Sequence, residues 1–239
     1  VAEPTIVALG GGGFSMEPAN PLLDDYILAL TKKARPKVCF LPTASGDADG
    51  YVVRFYEAFA RRAEPSHLAL FKRTVADLRA FVLEKDAVYV GGGNTANMLA
   101  VWRAHELDAV LREAWEKGVV LAGLSAGALC WFEAGVTDSF GPLAPLRGGL
   151  GFLRGSMCPH YDGEVVRRPA YQRFVGEGLA EGFAADDGAA LHFRGAELEA
   201  VVSSRPQARG YRVSWKCGAV TETPLGTRYL GDEARIRSA

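Results

Sequence analysis

Five short apolar runs, each followed by a longer stretch of mixed polarity, constrain what this chain can fold into more than any other feature of its sequence: TIVAL (5–9), KVCFLP (37–42), HLALF (67–71), AVYV (87–90) and VVLAGL (119–124). Continuous rather than alternating apolarity is the mark of a strand buried on both faces, as in a parallel sheet. The stretches between them read as helices. PLLDDYILALTKK (21–33) has Asn20 as candidate N-cap and Pro21 at the first helical position, where its missing N–H costs nothing. TVADLRAFVLEK (74–85) starts with Thr74 in the same role, and NTANMLAVWRAHELDAVLREAWEKG (94–118) is long enough for two helices. The alternation predicts an α/β fold with a mostly parallel, doubly wound sheet and helices on both faces. Further on, VVRRPAYQRFVGEGLAEGF (165–183) is helical in pattern after Pro169, and LHFRG (191–195), LEAVVSS (198–204) and ARGYRVSW (208–215) read as antiparallel strands finishing the sheet near the C-terminus. No linker, repeat or low-complexity tract divides the chain, so one domain over 1–239 is expected.

Charge and composition exclude several classes of partner. With 27 Lys+Arg against 28 Asp+Glu there is no global field to hold nucleic acid or an anionic membrane. No segment approaches the roughly 18 consecutive apolar residues of a membrane span. The opening VAEPTIVALGGGGF has no basic start and its apolar run is soon broken by glycines, so a cytoplasmic location is expected. The four cysteines lie far apart, without a C-x-x-C pair or a histidine at ligand spacing, which argues against a structural zinc, and no metal is expected; Cys39 and Cys130 fall in apolar patterns and read as reduced core residues. A small-molecule partner without a cofactor is expected, and the oligomeric state is open.

In open α/β sheets, sites gather at the carboxyl ends of the strands. Three glycine-rich loops fall there: LGGGGF (9–14), VGGGNT (90–95) and GLSAGA (123–128). Gly-Leu-Ser-Ala-Gly between a strand and a helix describes a nucleophile elbow, whose sharp turn projects the Ser125 hydroxyl while small neighbours let the backbone fold tightly. The following helix would aim its unpaired N–H groups at a developing oxyanion, with Ala126 N–H as one donor and Gly92 in the neighbouring loop as the other. The same small residues would also serve a plain strand-to-helix turn. Phosphate binding by the glycine loops is a minor reading, since neither matches G-x-G-x-x-G and no G-K-[ST] follows.

A serine nucleophile needs a base. His67 begins an apolar strand, His105 sits in a helix-rich exposed stretch and His192 alternates with Leu191 and Phe193, all structural or solvated settings. His160, in MCPHYDG, follows a proline and precedes turn residues, where a strand end would hold its ring in a site, although a rigid turn alone would also explain it.

Taken together, VGGGNT, GLSAGA about thirty positions later and then PHY resemble the peptidase E and cyanophycinase-type serine peptidase family, over nearly the whole chain from KVCFLPTAS to DDGAAL. The resemblance implies a Ser/His/acid arrangement on a fold related to class I glutamine amidotransferases, which carry cysteine at the position of Ser125. It implies Ser125 as nucleophile, His160 as general base and Asp187, before Gly188, as the acid, where peptidase E carries glutamate. Asp138 is the alternative acid; Glu133, Asp162 and Asp186 are further candidates, and Asp187 also suits an ordinary turn. The implied substrate is a small peptide or amide, with aspartyl dipeptides the first candidate.

Selection of aspartate would want a cation, and Arg167, Arg168 and Arg173 follow the histidine loop. Arg173 and Asn94 are the candidates for substrate contact. Alignment of the Gln172-Arg173 pair with its counterpart in the family, however, puts Ala170 where an aspartate-reading arginine is expected. A family member with another small amino-acid-like substrate, or a non-catalytic binder of such a ligand, is therefore the alternative reading.

Overall fold

A computed structural model of the chain describes residues 3–232. Its first half alternates as expected: β1 (Thr5–Leu9), α1 (Gly13–Met16), α2 (Leu22–Leu30), β2 (Lys37–Leu41), α3 (Asp49–Phe59), β3 (Glu64–His67), α4 (Leu78–Leu83), β4 (Ala87–Val90), α5 (Thr95–Ala104), α6 (Leu107–Glu116) and β5 (Val120–Leu124). The second half is mostly strand: α7 (Ala126–Leu129), β6 (Phe132–Thr137), β7 (Ala144–Arg147), β8 (Leu153–Cys158), α8 (Arg167–Gly176), β9 (Gly182–Ala185), β10 (Ala189–Arg194), β11 (Glu197–Ser203), β12 (Gly210–Lys216), β13 (Ala219–Pro224) and β14 (Thr227–Tyr229).

The strands form two sheets. One has eight strands in the order β14-β11-β10-β1-β5-β4-β2-β3, with β1, β5, β4, β2 and β3 parallel and β10 antiparallel to both β1 and β11. The second, in the order β13-β12-β9-β8-β6-β7, takes in β12, which the sequence reading assigned to the main sheet. Short strands interrupted by polar residues, such as FEAGVT and LRGSMC, carry too little periodicity to reveal it.

Apolar side chains of the main sheet point to two different cores. On one face Val7, Phe40, Tyr89 and Ala122 pack against α1 to α3, where Phe14, Phe55 and Phe59 build an aromatic cluster with Phe40 and Phe55 stacked at 4.8 Å. On the other, Ile6, Cys39, Val88 and Leu121 meet α5 to α7 and the inner face of the second sheet through Phe132, Leu153 and Met157. The outer face of that sheet is covered by α8, with Tyr171, Phe174 and Val175 over Val136, Cys158 and Val213.

Three local expectations are corrected. Pro21 takes the N-cap position of α2 without a side-chain bond, while Asn20 one residue earlier accepts the Leu22 N–H at 3.4 Å; α4 is capped by Asp77 rather than Thr74, the Asp77 carboxylate accepting the Ala80 N–H at 2.8 Å. The strand expected at 67–71 lies at 64–67. Its proline is tolerated because β3 is the sheet edge, and the apolarity of the downstream residues reflects a loop that buries Leu68 and Leu70. Among the described residues no helix is long and apolar enough to cross a membrane.

Candidate active site

The strand order brings the three glycine loops together. β5 lies between β1 and β4, in register Leu9 with Leu124 and Val90 with Gly123, so the chain leaves all three strands on one edge of the sheet. Ser125 follows β5 directly. Its backbone takes φ 55° and ψ −114°, a conformation that costs an L-residue on the order of 1–3 kcal/mol and is retained where the surroundings impose it. The surroundings do so here: the Ser125 N–H donates to Leu9 O at 3.2 Å, while its own carbonyl accepts from Ala128 and Leu129. The flanking glycines are needed for close approach, since a Cβ on Gly127 would stand 2.4 Å from Val90 O, and one on Gly123 2.3 Å from Gly127 O.

The second sheet supplies the partners. β8 and β9 are parallel neighbours, Cys158 opposite Ala184, so the segments leaving them run side by side: one carries His160 and the other Asp187. The His160 ring and the Asp187 carboxylate meet at 2.6 Å between Nδ1 and Oδ1. A carboxylate has no proton to give, so the Nδ1–H is the donor and Nε2 is left as the basic nitrogen. Both side chains are largely buried, at 13% and 14% exposure. Burial alone would raise the Asp187 pKa, but the hydrogen bond and charge of His160, with Arg205 and Arg167 behind, hold it below the usual value.

The loop between β1 and α1 binds the sheets together at this point. Gly10 O accepts the His160 N–H at 3.1 Å and Gly11 O the Gly188 N–H at 3.0 Å. Gly11 forms an isolated parallel bridge with Asp187, and a Cβ there would fall 2.1 Å from Asp187 Oδ1 and 3.0 Å from His160 Nδ1. LGGGGF thus packs against the His160–Asp187 pair. The sequence reading located this loop at the site but missed that role, for which a run of four glycines was the available signal.

Ser125, His160 and Asn94 line one pocket of 340 Å³, together with Asp138, Glu164 and Arg167. The other expected residues are distributed less simply. Gly92 is beside Ser125, but its N–H donates to the Tyr51 hydroxyl at 3.2 Å. Ala126 opens a helix of only four residues, too short for a sizeable dipole. Asn94 caps α5, its Oδ1 accepting the Asn97 N–H at 2.9 Å and its Nδ2 donating to Ser139 O at 3.0 Å, so both ends of the amide are engaged. Arg173 lies outside this pocket, exposed on α8 against Phe174 and 3.9 Å from Glu177, because it falls on the helix face turned to water. Arg167, one turn and a half earlier, is the cation that reaches the pocket.

Of the alternative acids, Asp138 is exposed and 4.0 Å from Arg167, Glu133 accepts the Gly155 N–H at 2.8 Å, and Asp162 accepts the Asp187 N–H at 2.7 Å. Asp186 is buried, accepts the Arg209 N–H at 2.9 Å, and is pushed up to about 6 by that burial. The remaining histidines are engaged elsewhere, His67 with Tyr56 and His192 with Tyr26, while His105 caps α5.

An α/β fold of two sheets, with a serine on a strained elbow sharing its pocket with a histidine that is bonded to an aspartate, places this molecule among the serine peptidases of α/β architecture. The signature of peptidase family S51 matches residues 6–201, and the chain belongs to that family. A relative from Bacillus subtilis (strain 168), the uncharacterized peptidase YgaJ, is 58% identical over 228 residues, covering 95% of this chain and 99% of its own. Peptidase E of Pasteurella multocida (strain Pm70) is 26% identical over 188 residues, 73% of this chain and 77% of its own. Among solved structures, a peptidase from an acI-B1 Actinobacterium shares the fold with a TM-score of 0.67 at 18% identity, over 94% of this chain and 95% of its own.

Proposed function

We propose that this protein, acting as a single α/β unit, hydrolyses small peptides through a Ser125–His160–Asp187 triad. The observation that carries the reading is the 2.6 Å contact between Asp187 Oδ1 and Nδ1 of His160, whose ring lines the same pocket as Ser125. Asp187 keeps the ring in the tautomer whose Nε2 is basic and stabilises the imidazolium. His160 removes the proton as Ser125 Oγ attacks the scissile carbonyl, then returns it to the leaving amine. Water repeats the sequence on the acyl-serine and releases the acid. Ala126 N–H, the first amide of its helix and without an intrahelical acceptor, is the proposed oxyanion donor. Gly92 would join it only on leaving the Tyr51 hydroxyl; Tyr51 sits behind that loop on α3.

The test is a panel of Asp-X, Glu-X, isoaspartyl and neutral dipeptides and tripeptides, with a serine-directed phosphonate run alongside. Ser125→Ala should abolish hydrolysis, and the phosphonate should attach to Ser125. Equal turnover by wild type and Ser125→Ala removes the serine from the mechanism, and absence of labelling favours the reading as a binder without turnover.

A further inference from the structure

Beside the Ser125 pocket lies a second depression, walled by the same two chain segments though sharing no lining residue with it. Asp138, Ser139, Glu164 and Arg167 turn toward the serine, and the residues next to them in both segments wall a groove of 700 Å³: Pro142 and Leu143 on one side, Val165, Val166, Pro169 and Ala170 on the other. Its lining is apolar, with Arg173 at the rim. Val165 and Val166 are 91% and 61% exposed, and Phe140, two residues before Pro142 though not itself in the lining, is 72% exposed. Large apolar side chains held in water around one groove mark a surface that something apolar covers.

The charge beside this groove has a definite balance. Arg167 is a buried cation whose Nε donates to Glu164 Oε2 at 2.6 Å and whose Nη1 donates to Val136 O at 3.4 Å, with Asp138 at 4.0 Å from Nη2. The two carboxylates are far more exposed than the guanidinium, at 43% and 63% against 5%. A substrate carboxylate entering here would meet two like charges before reaching a guanidinium already supplied with acceptors. Ala170, where the family resemblance led us to expect an aspartate-reading arginine, contributes only a methyl group to the groove wall.

We propose that the groove seats an apolar side chain of the peptide substrate and that the site disfavours an acidic one. The proposal rests on Ser125 being the nucleophile: Glu164 and Arg167 of its pocket are chain neighbours of Val165 and Val166 of the groove, so a peptide held at the serine has a side chain within reach of it. Pro142, Leu143, Val165 and Val166 offer that side chain dispersion contacts and removal from water, while Glu164 and Asp138 repel a carboxylate at the same entrance.

The experiment measures binding rather than turnover. Ser125→Ala protein is titrated calorimetrically with tripeptides in which each position in turn carries Leu, Ala or Asp. Leu at one position should bind about tenfold tighter than Ala, with Asp no tighter than Ala. Val166→Asp, at an exposed helix N-cap where aspartate is well tolerated, should erase the Leu preference, and Val166→Ile should keep it. Tightest binding by an Asp peptide, binding without a Leu preference, or no binding at all overturns the proposal. So does a Val166→Asp effect on oligomeric state alone, which would make the groove a contact between copies of the chain. Because these titrations need no chemistry, failure here is distinct from failure of the triad, which is read by labelling and hydrolysis with the wild-type protein.

Discussion

Gly11→Ala tests whether the glycine run after β1 exists to let the His160–Asp187 pair form. The added methyl would stand 2.1 Å from Asp187 Oδ1, against the 3.4 Å at which ordinary contact begins, so one partner must move by the difference, about 1.3 Å. The loop cannot simply retreat, being tied to the same residues by the Gly11–Asp187 bridge and by the Gly188 N–H on Gly11 O. Asp187 cannot easily swing the other way, because Gly163 is so close that a Cβ there would lie 2.1 Å from its Oδ2. A misplacement of about 1 Å costs roughly 100-fold in rate, or about 2.7 kcal/mol of barrier. The assay compares kcat on the best peptide of the panel and the rate of phosphonate attachment to Ser125, with thermal unfolding to confirm that the variant is folded. Both rates should fall by about two orders of magnitude while KM changes little, since the methyl meets the pair rather than the bound peptide. The downfield proton resonance of the His160 Nδ1–H should shift or broaden. A folded Gly11→Ala protein with kcat within threefold of wild type would show that the loop does not hold the pair, and would weaken the triad with it.

Two further predictions concern stability. Ser125→Gly relieves the φ of 55° and should raise the unfolding free energy by about 1 kcal/mol while abolishing activity, and a loss of stability in denaturant titration would contradict the strained elbow. Asp24, buried beneath α1, is raised to about 7 by that burial, which outweighs Arg62 and the Phe14 N–H. Its folded pKa exceeds the unfolded value of 3.8, so its contribution is fully present below pH 4 and lost as pH rises through 7, a change on the order of 4 kcal/mol. Relative to wild type, Asp24→Asn should therefore gain stability between pH 4 and 8, and parallel urea-unfolding profiles for the two proteins would refute the assignment.

How much of this was legible beforehand differs from element to element. β1, β2, β4 and β5 declared themselves because a strand covered on both sides must be apolar throughout, and the helices between them carry Met98 and Trp102 on α5, and Leu107 and Leu111 on α6, at the four-residue spacing that a helix turns to one side. The α3 helix had a comparable signal in Tyr51, Phe55 and Phe59, at intervals of four, and went unread. Ser125 and His160 could be singled out from local chemistry: a small-residue turn after a buried strand, and a histidine between a proline and turn residues.

Local sequence therefore determined the parallel sheet and the small-residue turn at Ser125, because strand burial, helical spacing and turn chemistry are decided by near neighbours. Pairing was decided only in three dimensions. That the His160 ring comes within 2.6 Å of the Asp187 carboxylate, that Arg167 and not Arg173 lines the Ser125 pocket, and that Gly92 spends its amide on Tyr51 all depend on how distant segments pack together. The first two come from a second sheet whose short strands are stabilised by packing against distant residues, and such long-range contacts leave no period in the sequence.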